Sequence, residues 1–502
     1  MVKISTLLNY IFWLFIALFA VVQVITLDKS PLPWFDETFF ASIAHQWSLT
    51  GHFTPQVAIF QEVKLYGPIY FWLTGSSFKL LGFSAFSFRL VNLISGIGVV
   101  WVSGLIIKQI TKNSKPNDQT SANRVLLKWW WVLLLTDPLF YLVLHEGRMD
   151  LMALFWALSS IYVLLPFLTK TQTQGKLVTR FILSGFLVVL AALTTPRVSF
   201  IFVPFSMLLL WHCRRKFYLF IVWGVTIVGL YAIWVFTAFG SINALIAYYT
   251  GNNPFANISM TEKFVGGFGY IPRQSYPLIA SAILGFLMVI LQKTIKIFHP
   301  FVWIALASIG LFYPLIHDYG QYSVFIIPFY YFFIFYGLSI KALHFKNLML
   351  YPLIFLLIIN VGYFTLKNMQ VLASWEQRKP TSVTKFIQKH IPKGARVVGE
   401  PMYFYAVTQA GSQYQYMDLY ETLETREARQ RQKFKYQYLI VTDHIKWRKP
   451  AVVKHYMQNA QLKELARLST PSSYWSQQIA RLGLISDVEQ NGYNCVIYKR
   501  VE

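Results

Sequence analysis

Apolar stretches long enough to cross a lipid bilayer recur from residue 7 to residue 366, and they constrain the fold more than any other feature. The hydrocarbon core of a bilayer is about 30 Å thick, which a helix of about 20 apolar residues spans. The stretches lie at 7–27, 90–108, 126–144, 151–168, 181–194, 197–212, 217–238, 276–292, 300–316, 322–340 and 347–366. The sequence therefore predicts a mostly α-helical, polytopic membrane protein with about 11 transmembrane helices.

The amino-acid composition agrees with this class of protein. Hydrophobic residues make up 55% of the chain and charged residues only 13%. The net charge of +24 would suit a nucleic-acid partner, but the clustered lysines and arginines lie mostly in short loops between apolar stretches. Such charge sets membrane orientation and meets anionic lipid headgroups, so we expect membrane lipids and no nucleic acid as partners. The two cysteines, Cys213 and Cys495, predict neither a disulfide nor a cysteine-based metal site.

Basic residues alternate between successive loops. With a cytoplasmic N-terminus, the inner loops are the basic ones, within 108–128, 170–180, 214–216, 293–296 and 341–346. This is the arrangement that the positive-inside rule requires. The first stretch could also be a signal peptide, but its length and the lack of a small-residue cleavage site before Asp28 favour a retained anchor. We therefore expect a multi-pass protein of the cell (inner) membrane.

The chain changes character after residue 366, which divides it into a transmembrane domain at 1–366 and an outer domain at 367–502. An odd number of spans places this tail on the same side as the large first outer loop, residues 28–85. Residues 380–390 predict a helix, and residues 396–398, 438–441 and 494–498 predict strands. We expect a small soluble α/β domain. It has no glycine-rich phosphate loop, metal-ligand spacing or nucleophile elbow, so we predict no chemistry of its own.

Ionisable residues gather in the loops assigned to the outer side. They include Asp36 and Glu37 just after the first span, the turn His145 to Asp150, Arg197, and the turn His317 to Tyr322. Charged groups at a membrane boundary are costly, and their convergence on one side predicts a pocket. Each also has a purely structural explanation. Acids stabilise the start of a helix, and Arg148 with Asp150 would fit a surface ion pair of little energetic importance.

Several short motifs carry a resemblance to a known family. They are Phe35-Asp36-Glu37, Leu65-Tyr66-Gly67-Pro68, Phe88-Arg89-Leu90, Gly147-Arg148-Met149-Asp150 and the segment from Tyr322 to Phe329. In order and loop position they resemble the membrane C-type (GT-C) glycosyltransferases, most closely the branch with protein O-mannosyltransferases and the lipid A aminoarabinose transferase. The resemblance covers about residues 5–340 and implies the GT-C type of fold.

Members of this family transfer a sugar from a polyprenyl phosphate to an acceptor on the outer membrane face, with inversion at the anomeric carbon. The resemblance therefore implies a hexosyl or pentosyl transferase that uses a lipid-phosphate-linked sugar. The acceptor would be a glycan, a lipid or a protein. Pocket shape selects the sugar and the acceptor, and the short motifs do not encode it.

Carried over by position, Asp36 and Glu37 are the expected catalytic residues. The Asp36 carboxylate would act as general base for the acceptor hydroxyl, while Glu37 and Asp150 would orient these groups or the acceptor. Cations would stabilise the leaving phosphate, for which the candidates are Arg148, Lys64 and Arg197. The supporting residues are Asp150, Tyr66, Glu62, His317 and Tyr322.

The sequence departs from the family pattern at three sites. Gly67-Pro68 stands where the family often has two prolines. Glu62 and Lys64 are separated by Val63 where the family has an adjacent pair, and Gln321 precedes Tyr322 where an arginine is common. Some relatives hold a divalent metal and others need none. No ligand cluster is evident here, so we expect no metal and no other cofactor.

Two other classes of protein share some of these features. A transporter or lipid flippase would also have many spans and intramembrane charges. No repeat relates the two halves of the chain, and the charges gather at one face, which favours the transferase. A non-catalytic surface assembly protein with the same fold is the third interpretation, and it predicts that Asp36 is dispensable.

Overall fold

The structure is a computed structural model of the whole chain. It describes residues 4–57, 66–112, 120–169, 177–251, 275–291, 299–316, 320–338, 343–417, 434–458, 460–481 and 492–501. Three predicted site residues, Glu62, Lys64 and His317, lie outside the described residues, and their assigned roles stay predictions.

As far as residue 373, the secondary-structure elements that the structure describes are helices. They are α1 (Ile4–Thr26), α2 (Phe35–Thr50), α3 (Ile69–Leu81), α4 (Ala85–Lys112), α5 (Thr120–Thr136), α6 (Pro138–His145), α7 (Asp150–Leu168), α8 (Leu177–Thr194), α9 (Ser199–Cys213), α10 (Phe217–Phe239), α11 (Ile242–Gly251), α12 (Tyr276–Leu291), α13 (Pro300–Leu315), α14 (Ile327–Leu338) and α15 (Leu343–Ala373). Short 3-10 turns at Pro196–Val198 and Gln321–Phe325 precede α9 and α14.

The predicted polytopic architecture is confirmed. Seven helical segments among the described residues are long and apolar enough to cross a membrane, and α12, α13 and α14 are shorter apolar helices. The remaining predicted stretch, residues 126–144, is covered by α5 and α6 together. Every one of the eleven apolar stretches is therefore helical in the part that the structure describes.

Asp137 separates α5 from α6. Its Oδ1 accepts hydrogen bonds from the backbone N–H groups of Leu139 and Phe140 at 3.1 and 3.0 Å, and Pro138 occupies the first turn, where a missing N–H costs nothing. The hydroxyl of Tyr331 on α14 donates to Oδ2 at 3.0 Å. The carboxylate therefore both starts a helix and joins two helices.

The large first outer loop has its own helical structure, formed by α2 and α3. Helices α2 and α3 pack against each other, for example through Phe40 and Phe71, whose ring centroids are 6.2 Å apart. Helix α2 ends at Gly51, whose φ of 79° lies in the left-handed region that favours glycine. The described part of the loop therefore contains two helices packed against each other.

The tail forms a mixed α/β domain. Its helices are α16 (Pro380–His390), α17 (Phe404–Gln409), α18 (Asp443–Arg448), α19 (Pro450–Gln458) and α20 (Tyr474–Ala480). Its strands are β1 (Arg396–Gly399), β2 (Gln413–Tyr416), β3 (Tyr438–Val441), β4 (Gln461–Leu468) and β5 (Cys495–Val501). They form a sheet of order β2-β1-β3-β5-β4, in which β1 is parallel to β2 and β3, while β5 is antiparallel to β3 and β4.

The tail packs directly on the first outer loop. The Tyr416 hydroxyl donates to Thr38 Oγ1 at 2.8 Å, and its ring meets Phe35 edge to face at a centroid distance of 5.2 Å. One hydrophobic core contains side chains from both parts, such as Phe40 and Tyr403. Helix α15 runs through the predicted boundary at residue 366, and the division into two domains stays a prediction.

Candidate active site

Four separate segments bring polar side chains together at one end of the helices. They are the first turn of α2 with Asp36, the α6–α7 turn with Arg148, the turn before α9 with Arg197, and the turn before α14 with Gln321. The alternation of loops placed all four on the outer side. The structure shows that the segments meet, and the side of the membrane they face stays a prediction.

Arg148 is the centre of the cluster. Its Nη1 lies 2.7 Å from Asp36 Oδ2 and donates to Gln321 Oε1 at 3.0 Å, while its Nε lies 2.6 Å from Asp150 Oδ2. Its guanidinium also lies over the ring of Tyr322, 4.6 Å from the centroid. The side chain is only 4% exposed, so these contacts fix its position. The purely structural explanation required Arg148 and Asp150 to form an ion pair on the surface. Arg148 is instead buried and makes several hydrogen bonds, so this explanation does not apply.

Arg197 lies beside this cluster and is held by two tyrosines. Its guanidinium is 4.0 Å from the ring centroid of Tyr322, and its Nη1 donates to the Tyr66 hydroxyl at 3.3 Å. Among the described residues, no carboxylate lies within ion-pair distance of Arg197. Within the described part of the chain, the charge of this cation is therefore not neutralised by a direct acidic partner.

Glu37 faces a different partner from its neighbour Asp36. Its two oxygens accept from Nε and Nη2 of Arg89 at 2.9 and 2.8 Å, and both side chains are 0% exposed. The Tyr405 hydroxyl donates to Glu37 Oε1 at 3.4 Å. Arg89 Nη1 also donates to the carbonyl of Leu27. This ion pair joins α2, α4, the end of the first span and the tail, which favours a positioning role for Glu37.

Two glycines of the sequence motifs allow these close approaches. A Cβ at Gly147 would lie 2.2 Å from the Phe88 ring and 2.8 Å from Glu37 Cγ. A Cβ at Gly67 would lie 2.4 Å from the carbonyl oxygen of Leu193, near the end of α8. Any side chain would force these segments apart, so the glycines bring Arg148 and Tyr66 into the cluster.

Asp36 is the accessible carboxylate of the cluster. Its side chain is 30% exposed, and its Oδ1 accepts no hydrogen bond from any described residue. Desolvation of the carboxyl group by the surrounding protein raises the pKa of Asp36 above its usual range, and the guanidinium groups of Arg148 and Arg197 oppose this rise. A carboxylate with one anchored and one open oxygen, and a pKa moved toward neutrality, is suited to accept a proton.

Glu146 is a third acid of the site that sequence reasoning did not single out. It is buried, and its Oε1 accepts from Gln321 Nε2 at 2.8 Å, while its Oε2 is buried without a hydrogen-bond partner. Burial raises the pKa of Glu146 to about 8, although Arg148 opposes the shift. The side chain therefore carries a proton at neutral pH.

The structure brings together most of the predicted residues that it describes. Asp36, Arg148, Asp150, Arg197 and Tyr322 form one contact network, which Tyr66 joins through Arg197. The partners that sequence reasoning missed are Arg89, Glu146, Gln321 and Trp34, whose ring centroid lies 5.3 Å from the Arg148 guanidinium. The signal for Arg89 was present, since it belongs to the motif Phe88-Arg89-Leu90. No group of three or more potential metal ligands occurs among the described residues.

Comparison with solved structures identifies the fold. ArnT from Cupriavidus metallidurans in the apo state superposes with a TM-score of 0.58 at 12% sequence identity, covering 97% of this chain and 97% of that one. The same protein bound to undecaprenyl phosphate gives a TM-score of 0.52 at 13% identity with the same coverage. No protein-family model and no curated protein matches the sequence. The resemblance stated from the motifs is confirmed at the level of fold, and the chain has the GT-C fold, including the tail domain.

Proposed function

We propose that this protein is an inverting glycosyltransferase that moves a sugar from a polyprenyl-phosphate donor to an acceptor on the outer membrane face. The observation that carries the proposal is the joint placement of the open carboxylate of Asp36 with Arg148 and Arg197. This cluster lies at one end of the spans, in a fold shared with ArnT, a protein whose structure holds undecaprenyl phosphate.

The reaction needs one base and a stabilised leaving group. The acceptor hydroxyl attacks the anomeric carbon, its proton passes to Asp36 Oδ1, and the bond between that carbon and the phosphate oxygen breaks. A single displacement of this kind inverts the anomeric configuration. Arg148 holds Asp36 through Oδ2 at 2.7 Å, which leaves Oδ1 for the acceptor.

The two arginines provide the positive charge that a departing lipid phosphate requires. Arg197 has no direct acidic partner among the described residues, so its charge remains available for a phosphate oxygen. Arg148 is shared between Asp36 and Asp150, and we assign it to orient the base and to face the phosphate. Lys64 keeps its predicted role as a phosphate ligand, and Glu62 and His317 keep the supporting roles predicted from the sequence.

The test is a transfer assay with the purified protein in lipid and a panel of polyprenyl-phosphate sugars, following release of free polyprenyl phosphate. Asp36→Asn keeps the shape of the side chain and removes the base, so release should fall by at least about a hundredfold, the usual contribution of general-base catalysis. The variant should fold and insert normally because Asp36 is partly exposed.

A second variant, Glu376→Gln, provides the matched control. It neutralises an exposed carboxylate that forms an ion pair with Lys379 at 3.7 Å, outside the cluster. Release by this variant should equal that of the wild type. Wild-type turnover by Asp36→Asn would refute the assignment of the base, and no release from any donor would return the transporter or flippase to consideration.

A further inference from the structure

A large open cavity lies in the tail, and its described lining includes none of the residues of the candidate active site. It has a volume of about 1890 Å³ and occurs where β1 and β3 begin and where β5 ends. Sites for drug-sized ligands usually measure about 300–1,000 Å³. The cavity is therefore large enough for an oligomeric ligand.

The cavity is strongly basic. Six of its lining residues are cationic, and none of the described residues that line it is acidic; the cations are Lys393, Arg396, Lys435, Lys463, Lys499 and Arg500. None of the six forms an ion pair with a described acid. A concave surface with charge of one sign concentrates ligands of the opposite sign.

The pairing of β4 with β5 brings two of these positive charges together, which lowers the stability of the sheet. Lys463 and Lys499 stand directly opposite each other in the antiparallel register. Like charges in this position destabilise a sheet. Their neighbour across the sheet is Tyr438, which pairs with Lys499 from β3 and carries no compensating charge. An anion bound between the two lysines would relieve this repulsion.

The cavity and the contact of β5 with the last helix of the spans lie at opposite ends of β5. The backbone N–H of Tyr493, just before β5, donates to the carbonyl of Gln377, close to the end of α15. Arg500 lies seven residues further along an extended strand, which is roughly 20 Å at about 3.3 Å per residue. Arg500 therefore lies at the opposite end of β5 from this contact.

Aromatic side chains lie among the cations. Phe434 and Tyr436 line the cavity, and the Arg500 guanidinium is 5.6 Å from the centroid of the Tyr436 ring. Aromatic rings provide flat apolar surfaces of the kind that pack against sugar rings. We propose that this cavity binds an oligosaccharide that carries carboxylate or phosphate groups. The proposal goes beyond the transfer reaction and holds whether or not the chain transfers a sugar.

The test is direct binding to the full chain in nanodiscs of neutral lipid at an ionic strength of about 0.15 M. The probes are fluorescent hexagalacturonate and pentamannose phosphate, with maltohexaose as the neutral sugar and hexaglutamate as the anion without sugar. The anionic sugars should bind, and they should bind more tightly than either comparison probe. Failure of both anionic sugars to bind would overturn the proposal.

Two double variants distinguish binding in the cavity from attraction to the net charge of the protein. Lys463→Gln together with Lys499→Gln should weaken binding of the anionic sugars about tenfold, because two charge-assisted contacts are lost. Lys446→Gln together with Arg467→Gln removes the same amount of charge outside the cavity. These two residues pair with Asp443 and Glu464. The control variant should change binding of the anionic sugars less than about twofold. Equal weakening by the two pairs would show attraction to net charge alone and would refute the site.

Two further outcomes would also refute it. Hexaglutamate that binds as tightly as the anionic sugars would show that sugar is not recognised. The second outcome concerns phosphatidylglycerol vesicles. If the wild type binds these vesicles but no sugar, and the Lys463 and Lys499 variant loses vesicle binding, the cavity is a site for membrane lipid. Thermal unfolding of each variant provides the folding control, and release of polyprenyl phosphate is measured separately as the readout of the transfer reaction.

Discussion

Asp36 and Glu37 are adjacent carboxylates with different environments. Consecutive residues of a helix point about 100° apart, so one turn of α2 presents them to different neighbours. Asp36 faces Arg148 with 30% of its side chain exposed, whereas Glu37 is 0% exposed and receives two hydrogen bonds from Arg89. The exposed acid is suited to chemistry, and the buried one is suited to hold α2 in place.

The buried ion pair leads to a prediction about stability. Arg89→Met leaves the Glu37 carboxylate buried without its partner, and the free energy of unfolding should fall by about 3–5 kcal/mol. Replacing both residues, Glu37→Leu with Arg89→Met, removes both charges and should recover most of this loss. Urea-induced unfolding in detergent measures both. Equal stability of wild type and single variant would show that the pair does not hold α2.

The raised pKa of Glu146 predicts that the stability of the folded protein depends on pH. Burial raises its pKa to about 8 from the usual 4.5, so the folded protein retains a proton that the unfolded chain releases. The stabilisation from this group is therefore complete at low pH and is lost as pH rises from about 4.5 to about 8. Above about 8 its contribution no longer changes.

Glu146→Gln isolates the contribution of Glu146 ionisation to stability, because an amide resembles the protonated acid and keeps the acceptor for Gln321. We expect the stability of the variant relative to the wild type to increase between about pH 5 and pH 8 and then level. Melting temperatures of both proteins across this range give the difference. Parallel profiles over the whole range would show that Glu146 is ionised in the folded state.

At the scale of the element, helix interruptions position the polar groups. The break between α5 and α6 is made by Asp137, which accepts two backbone N–H groups of α6 and the hydroxyl of Tyr331. The turn that follows α6 carries Glu146 and Arg148. The start of α6 is therefore coupled to the site through a single short helix.

Substitution of Asp137 tests this coupling. Asp137→Ala removes the cap of α6 and should reduce stability by about 1–2 kcal/mol, while Asp137→Asn keeps an acceptor and should cost only a fraction of this. Thermal unfolding in the same detergent compares the two variants. An alanine variant as stable as the asparagine variant would show that the cap contributes nothing.

At the scale of the molecule, the order of spans brings distant loops to one end. Arg148 contacts both Asp36 and Gln321 because all three lie at helix ends on the same side of the bundle. The tail completes this end, since Tyr405 and Tyr416 reach Glu37 and Thr38. The predicted topology places all of them outside the cytoplasm.

Cysteine labelling tests that topology. The native cysteines Cys213 and Cys495 are buried, so they should react little with a polar maleimide. Lys446→Cys, in the tail, should be labelled in intact cells, whereas Lys216→Cys, at the predicted inner end of α10, should require permeabilised cells. Labelling of Lys216→Cys alone in intact cells would reverse the orientation and move the candidate site to the cytoplasm.

Strand prediction in the tail shows where local sequence is insufficient. The apolar runs of β1, β3 and β5 were found because buried strands are rich in Val and Ile. The two missed strands have other patterns. β2 reads Gln-Tyr-Gln-Tyr, and the edge strand β4 has Leu462, Leu465 and Leu468 at helical spacing. Pairing with β1 and β5 makes them strands, which is a tertiary effect.

The sequence by itself determined the membrane class, the helical spans, the order of the loops and most of the polar residues of the contact network around Arg148. These depend on local properties, since the bilayer requires apolar stretches of a given length whatever their neighbours. Only the tertiary structure decided which charges meet. Glu37 and Arg89 are 52 residues apart, and Arg148 and Gln321 are 173 apart. Such pairs depend on how the helices pack, so two adjacent acids with the same local pattern have different partners.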